Sequence, residues 1–185
     1  MLSEISITNK FLKENKVILY PTDTVWGLGC DMFNDEAVKR IYQIKKREDA
    51  KALILLVSDL EMLKKYVVVN EFVKEFLSSE RPTTIIYSNT KNLPSYILAN
   101  DASVAIRVVK DEFCKTLITK LGNPIISTSA NKSGEITAQF YSEISESILS
   151  EVDYVVNWRK EDKTVVLPSK IVKILNNGNH QIIRK

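Results

Sequence analysis

Two polar segments that follow apolar runs hold the residue types best suited to binding a phosphorylated ligand. The first is Ser127-Thr128-Ser129-Ala130-Asn131-Lys132-Ser133-Gly134, which comes directly after the apolar residues 124–126. Hydroxyl and amide groups donate and accept hydrogen bonds without bulk, so they suit phosphate oxygens or a ribose. Because α/β proteins bind ligands at the carboxyl ends of strands, the segment predicts a ligand cradle. Taken alone, it fits an ordinary Ser/Asn/Gly loop better.

The second segment, residues 17–30, has the same order of residue types. An apolar run is followed by a proline, two threonines around an aspartate, and two spaced glycines: Pro21, Thr22, Asp23, Thr24, Gly27 and Gly29. A helix is predicted next over residues 34–46, with Asn34 as its cap, and basic residues extend from its end to Lys51. Cations at a helix carboxyl end match the helix dipole in any protein. Residues 39–51 are more basic than that explanation requires, which indicates an anionic partner.

The spacing of apolar residues predicts alternating strands and helices around these segments. Strands are predicted at residues 53–57, 83–87, 103–107, 152–156, 164–167 and 170–175, and a hairpin turn at Asn177-Gly178 leads to residues 181–184. Helices are predicted after a capping box from Ser58 to Glu61, after Asn70, over residues 111–121, and more weakly around Ile144 and Ile148. We expect one α/β domain, residues 1–185, with a twisted, open, mixed β-sheet and flanking helices.

Whole-chain composition limits the class of protein. The 185 residues are 44% hydrophobic and 26% charged with a net charge of +3, as in an ordinary globular protein, and this charge alone does not indicate nucleic-acid binding. No apolar run approaches the length of a membrane span. Cys30 and Cys114 are too few for a disulfide framework, so we expect reduced thiols in a cytoplasmic protein. The chain has a single histidine, His180, which disfavours a zinc site and a histidine-dependent catalytic triad.

Three motifs resemble, in order and spacing, those of the YrdC-like L-threonylcarbamoyladenylate synthases, and the compact length resembles their short bacterial TsaC branch. The motifs are Tyr20-Pro21-Thr22-Asp23-Thr24-Val25-Trp26-Gly27-Leu28-Gly29, Lys45-x-Arg47 and Ser129-x-Asn131-x-Ser133-Gly134. The resemblance implies a reaction in which L-threonine, bicarbonate and ATP give threonylcarbamoyl-AMP and pyrophosphate. It also implies partner proteins that transfer the threonylcarbamoyl group to tRNA beside the anticodon, and a concave, positively charged cavity in a YrdC-like domain.

The same resemblance implies roles for individual residues. Catalysis and phosphate binding fall to Lys45, Arg47, Ser129 and Asn131, and further nucleotide contacts to Lys51, Ser103 and Arg184. Threonine contacts fall to Thr24, Arg107, Ser127 and Ser169. Without the resemblance, Arg107 is a surface arginine at a strand edge and Arg184 a terminal charge. No carboxylate cluster specifies a metal site, so we expect Mg²⁺ to arrive on ATP, held by phosphates and water.

Two segments depart from the family pattern. Ser79-Glu80-Arg81-Pro82-Thr83-Thr84 stands where many relatives read Trp-Pro-Gly-Pro-x-Thr, and Glu48 follows Arg47 where proline is usual. These departures predict an altered pocket wall and a partly offset positive field.

Two rival functions use the same cavity. One is a non-catalytic RNA-binding or ribosome-assembly accessory protein, with weak RNA binding by the basic residues, and the other is a non-catalytic nucleotide binder. The sequence has no basic stripe interleaved with exposed aromatics, which disfavours the RNA-binding alternative.

Overall fold

The predicted strands and helices form one mixed β-sheet with helices packed on it, in a computed structural model that describes residues 1–46, 53–175 and 179–185. Within these residues the strands are β1 (Ile18–Tyr20), β2 (Gly27–Asp31), β3 (Ile54–Val57), β4 (Thr83–Tyr87), β5 (Val104–Val108), β6 (Ile125–Ser129), β7 (Tyr154–Val155), β8 (Lys170–Ile174) and β9 (His180–Arg184). The α-helices are α1 (Leu2–Lys13), α2 (Asp35–Ile44), α3 (Leu60–Lys64), α4 (Glu71–Ser78), α5 (Glu112–Leu121) and α6 (Glu146–Leu149).

The sheet joins these strands in the order β7-β1-β2-β6-β3-β5-β4-β8-β9. Strands β1, β2, β6 and β3 pair antiparallel in succession, and so do the pairs β5–β4 and β8–β9. The pairs β7–β1, β3–β5 and β4–β8 are parallel. The predicted fold class, an α/β domain around an open mixed sheet with flanking helices, is therefore confirmed.

Strand register divides the side chains between two faces of the sheet, because successive residues of a strand point to opposite sides. Leu28, Leu55, Ile106 and Ile126 share one face and are at most 2% exposed. Helices α1, α3 and α5 contact these strands and cover that apolar face. The opposite face carries smaller and more polar residues and is left open for a ligand.

The predicted helix caps are present, with one correction. Asn34 and Asn70 accept hydrogen bonds from the amides of the helices that follow them, at 2.8 and 2.9 Å. The predicted cap at Ser58 is wrong, because Asp59 caps α3 by accepting the Met62 amide at 2.8 Å. A carboxylate interacts more strongly with the positive end of a helix than a hydroxyl does. Ser58 instead donates to the Asp59 carboxylate at 2.7 Å.

Two further elements differ from the prediction. The predicted strand at residues 164–167 is wrong. This segment is irregular and pairs with no strand among the described residues, and Val165 and Leu167 are 70% and 65% exposed. Strand β8 already has β4 and β9 as its neighbours, so its edges offer the preceding segment no pairing. Helix α1 was not predicted, since the polar residues Thr8 and Asn9 interrupt its buried face. The predicted hairpin turn at residues 177–178 lies outside the described residues, although β8 and β9 do pair antiparallel.

Gly29→Ala is expected to lower the free energy of unfolding by about 1–3 kcal/mol, the usual cost of overpacking a core. An added Cβ would lie 2.6 Å from Cε1 of Tyr20 and 3.1 Å from the carbonyl oxygen of Ile126. The backbone oxygen cannot move without disturbing the β2–β6 pairing. Urea unfolding measures the effect as a lower midpoint with an unchanged slope. A midpoint equal to that of the wild-type protein would contradict this account of the packing.

Candidate functional site

A cavity of about 320 Å³ lies on the open face of the sheet and has the size of a small-molecule site. Its floor consists of alternate residues from β2, β3, β4, β5, β6 and β8, namely Gly27, Ile54, Leu56, Thr84, Ile86, Ala105, Arg107, Ser127, Ser129 and Ile171. The walls come from the loop after β1, from the residues before β8 and from β9, and include Thr24, Trp26, Pro168, Ser169 and Arg184. The two polar segments singled out in the sequence therefore meet in one cavity, although they are about 100 residues apart along the chain.

The loop between β1 and β2 is held by the hydroxyl of Thr22. Its Oγ1 accepts a hydrogen bond from the Thr24 amide at 3.0 Å and donates to the Val25 carbonyl at 2.8 Å. The Thr24 hydroxyl lies 3.1 Å from the same oxygen and faces the cavity, with the residue 8% exposed. The local fold of this loop therefore presents Thr24 to a ligand, as its predicted role as a threonine contact requires.

The hydroxyls of Ser127 and Ser129 lie on strand β6 and not in a loop, because β6 continues to Ser129. Both pair with glycines of β2, Ser127 with Gly29 and Ser129 with Gly27. A Cβ at Gly27 would lie 3.0 Å from the Ser127 hydroxyl oxygen, so the bare backbone of β2 gives these hydroxyls room. Residues 127 and 129 share one face of the strand and both line the cavity.

Arg107 is a buried member of the cavity floor and not a surface residue. Its guanidinium forms an ion pair with Asp23 at 2.9 Å, and both side chains are 5% exposed. The other Asp23 carboxylate oxygen accepts the Lys110 amide at 3.2 Å, which ties the β1–β2 loop to the end of β5. The Arg107 Nε is buried and has no hydrogen-bond partner among the described residues. The site therefore retains an unused guanidinium donor beside its ion pair.

A second group of positive charge surrounds Ser169, which is 1% exposed. The guanidinium of Arg184 donates twice to the Ser169 carbonyl, at 2.9 and 2.8 Å, and Arg81 donates to the Pro168 carbonyl at 3.0 Å. The Ser169 hydroxyl lies 2.9 Å from that of Thr84. Desolvation of the guanidinium lowers the pKa of Arg184, and the charges of Arg107 and Arg81 lower it further. Arg81, Arg107 and Arg184 thus lie close enough to one another to make the cavity attractive to anions.

Lys45 and Asn131 do not line the cavity but build the loop beside it. The Lys45 ammonium donates to the carbonyl oxygens of Ser129 and Asn131, both at 2.7 Å, and the residue is 3% exposed. The Asn131 side chain donates to the carbonyls of Lys132 and Glu135 at 2.9 and 2.8 Å. Its amide oxygen is buried without a hydrogen-bond partner among the described residues. The motif residues are close together, with Lys45 directed at the backbone of the loop.

The remaining predicted contacts are either not among the cavity-lining residues or not described. Ser103 does not line the cavity, and its hydroxyl donates to the Asp101 carboxylate at 2.5 Å. The Ser103 hydroxyl and the Lys173 ammonium lower the pKa of Asp101 to about 2. Arg47 and Lys51 lie outside the described residues.

Several residues that shape the site were missed by sequence reasoning, among them Tyr20, Thr84 and Arg159. Arg159 donates to the Thr22 carbonyl at 2.8 Å and pairs with Asp111 at 3.2 Å, which fixes the β1–β2 loop from the opposite side. Thr84 is the threonine retained in the altered segment 79–84, and this retention was a usable signal. Nothing in the sequence pointed to Arg159, because a single arginine in an irregular segment belongs to no helical or strand pattern.

Other chemistries find no support in the described residues. No group of three or more His, Cys, Asp or Glu side chains could hold a metal ion there. Cys30 and Cys114 are free thiols, as expected, and both are buried. Burial raises the pKa of the Cys114 thiol well above its usual value, so this thiol is uncharged and a poor nucleophile. No helix among these residues is long and apolar enough to span a bilayer.

Comparison with known proteins yields one matching family and several close folds. The family that groups Sua5, YciO and YrdC, described as telomere recombination, matches residues 10–185. A threonylcarbamoyl-AMP synthase from Pseudoalteromonas translucida (strain TAC 125) is 34% identical over 160 residues, which are 84% of this chain and 86% of that protein. The crystal structure of E. coli YciO superposes with a TM-score of 0.86 at 24% identity, covering 100% of this chain and 90% of that one. The crystal structure of P. abyssi Sua5 complexed with L-threonine gives a TM-score of 0.83 at 25% identity, covering 97% of this chain and 53% of that one.

The sequence and structure comparisons agree with each other and with the motifs. The family match spans almost the whole chain, and the superpositions extend over the full sheet that forms the cavity floor. The chain therefore belongs to the Sua5/YciO/YrdC family.

Proposed function

We propose that the protein is an L-threonylcarbamoyladenylate synthase, a nucleotidyltransferase that makes threonylcarbamoyl-AMP and pyrophosphate from L-threonine, bicarbonate and ATP. The observation that carries the proposal is the single cavity in which Thr24, Arg107, Ser127 and Ser129 meet. It is supported by the name of the Pseudoalteromonas relative, a threonylcarbamoyl-AMP synthase, and by the P. abyssi Sua5 structure, which holds L-threonine in the same fold.

The proposed chemistry needs positioning and charge neutralisation and no histidine base. The threonine amine first takes up the carbon of bicarbonate to give a carbamate, with loss of water. A carbamate oxygen then attacks the α-phosphorus of ATP, forming one P–O bond as the bond to the bridging oxygen breaks and pyrophosphate leaves. Bound donors that hold the two oxygens in line lower the barrier to such a transfer.

The residues divide into two ends of the cavity under this proposal. Arg107, Thr24 and Ser127 form the amino-acid end, where a guanidinium suits a carboxylate. Ser129 and Arg184 form the nucleotide end, and the family resemblance implies the same role for Arg47. Ser169 connects Arg184 to the cavity floor, because its carbonyl accepts from Arg184 and its hydroxyl lies 2.9 Å from that of Thr84. The arginines near Ser169 fit a reaction in which ATP and bicarbonate are anions.

Mg²⁺ and the downstream partners complete the proposal. The described residues supply no acidic cluster, so Mg²⁺ is proposed to enter on the triphosphate, held by phosphate oxygens and water. The product is a mixed anhydride, and it is proposed to pass to proteins that transfer its threonylcarbamoyl group to tRNA beside the anticodon.

The test is release of pyrophosphate from ATP with each substrate omitted in turn. We expect turnover only when threonine and bicarbonate are both present. Turnover without threonine would identify a different reaction. No turnover, combined with RNA affinity that falls steeply with salt, would favour an RNA-binding accessory protein over an enzyme.

Ser129→Ala is expected to lower that turnover roughly 10–100-fold, the value of one hydrogen bond to a charged group. The fold should survive, since a methyl group fills the same position on β6. Arg47→Ala is predicted from the sequence to be at least as harmful. Ser3→Ala on the exposed face of α1 is the matched control and should behave as wild type. Wild-type rates in Ser129→Ala with unchanged thermal stability would contradict its placement at the nucleotide.

A further inference from the structure

A hydrogen bond from outside the cavity reaches one of its lining hydroxyls. The Tyr20 hydroxyl donates to the Ser127 hydroxyl at 2.9 Å, and these residues are 107 positions apart in the chain. Ser127 lines the cavity, whereas Tyr20 does not and is 0% exposed. The family reaction as proposed above uses Ser127 and assigns nothing to Tyr20.

The geometry of this contact depends on the strand between the two residues. Tyr20 is on β1 and Ser127 on β6, with β2 between them. The tyrosine ring crosses β2 over Gly29, where any Cβ would lie 2.6 Å from Cε1. Gly29 is also the register partner of Ser127. The ring is therefore packed closely against β2, with its hydroxyl at Ser127.

The direction of the hydrogen bond follows from the acidity of the two groups. A phenol is a better donor than an aliphatic hydroxyl, and its oxygen is a poorer acceptor. Burial raises the pKa of the Tyr20 phenol well above its usual value, so the proton is retained throughout the working pH range. One lone pair of Ser127 Oγ is thus always occupied, and its own proton has no acceptor among the described residues.

The free Ser127 proton belongs to a set of donors on the same face of the sheet. Arg107, also on the cavity floor, has its buried Nε without a hydrogen-bond partner in the described part of the chain. A guanidinium and a free hydroxyl proton on one face of the cavity suit an acceptor with two oxygens, and a carboxylate has that shape and charge. Neither donor suits the ammonium group of an amino acid.

We propose that Tyr20 is a positioning residue that makes Ser127 a hydrogen-bond donor to the carboxylate of the amino-acid substrate. The inference rests on the proposed function, since it names the chemistry at the amino-acid end of the same site. Tyr20 touches no ligand and acts only through Ser127. Its loss should therefore weaken threonine binding and leave nucleotide binding as it is.

The experiment is a double-mutant cycle with Tyr20→Phe and Ser127→Ala, read as KM for L-threonine and KM for ATP in the pyrophosphate assay. Tyr20→Phe should raise the threonine KM about 5–10-fold, the range of one hydrogen bond, and leave the ATP KM unchanged. In the Ser127→Ala background the same change should have no further effect on the threonine KM. Tyr87→Phe is the control, because Tyr87 is buried and its hydroxyl has no hydrogen-bond partner among the described residues.

The outcomes separate this inference from the proposed function. A threonine KM that rises by the same factor with or without the Ser127 hydroxyl would show that Tyr20 acts by packing alone and would overturn the inference. An unchanged threonine KM in an active Tyr20→Phe variant would overturn it too. If the wild-type protein shows no threonine-dependent turnover, the proposed function fails first and this inference with it.

Discussion

Lys45→Met is expected to lower threonine- and bicarbonate-dependent pyrophosphate release by at least about 10²-fold. Two carbonyl groups, those of Ser129 and Asn131, would each lose a charged donor at 2.7 Å, at a cost of about 1–3 kcal/mol apiece. Methionine fills a similar volume, so the packing at the end of α2 survives. The loss then comes from a displaced loop and not from an unfolded protein.

This expectation differs from the role that the sequence resemblance implies for Lys45, a direct contact with phosphate. The two roles are separable in the ligand-free protein by hydrogen exchange of the amides at residues 129–134. A loop anchor predicts faster exchange there in Lys45→Met, whereas a pure phosphate contact predicts no change until ATP is added. The Ser133 amide, which donates to the Lys45 carbonyl at 2.8 Å, belongs to the same loop and should exchange faster with the others, because displacement of the loop breaks this hydrogen bond.

Lys13→Met, at the exposed end of α1, is the matched control for removal of one lysine. It should change neither turnover nor exchange in the loop. Wild-type exchange at residues 129–134 in Lys45→Met, together with a raised KM for ATP, would refute the anchor and restore the phosphate contact.

Elements whose signal is local were predictable from the sequence. The bounds of strand β4 were predicted to the residue, since five consecutive β-branched and aromatic residues strongly favour a strand. The caps at Asn34, Asn70 and Asp111 were predictable because a short polar side chain before an apolar period favours a helix start. The presence of Thr24, Ser127 and Ser129 in one cavity followed from polar residues placed at strand ends.

Features that depend on a distant partner were not predictable. Helix α1 buries Glu4, whose carboxylate accepts the Tyr154 hydroxyl at 2.6 Å, 150 residues away. A search for evenly spaced apolar residues counts a glutamate as exposed, and therefore it does not predict α1. The Tyr20–Ser127 hydrogen bond and the two Lys45 contacts also join residues more than 80 positions apart. A motif gives the residue types of a site, while the sheet order decides which of them meet a ligand.

Arg107→Met is expected to have two separable effects, one on folding and one on threonine. Removing the guanidinium leaves Asp23 as an uncompensated buried carboxylate, 5% exposed, which should lower the free energy of unfolding by about 3–5 kcal/mol. It also removes the donor proposed for the threonine carboxylate. The single variant cannot tell these effects apart, because a disordered β1–β2 loop would also displace Thr24.

The paired variant Asp23→Asn with Arg107→Met separates them. The asparagine amide has no charge to compensate, and its oxygen still accepts the Lys110 amide that the Asp23 carboxylate holds at 3.2 Å. We therefore expect urea unfolding to return most of the lost stability in the double variant. The KM for threonine should stay high in the same protein, since the lost guanidinium donor is not replaced.

The Asp23→Asn single variant completes the cycle and should also lose stability, because it leaves the buried Arg107 guanidinium, 5% exposed, without its charge partner. Recovery of both stability and threonine affinity in the double variant would show that Arg107 serves only to neutralise Asp23. The threonine carboxylate would then have to be held by Ser127 and the arginines around Ser169, and the division of the cavity into two ends would be wrong.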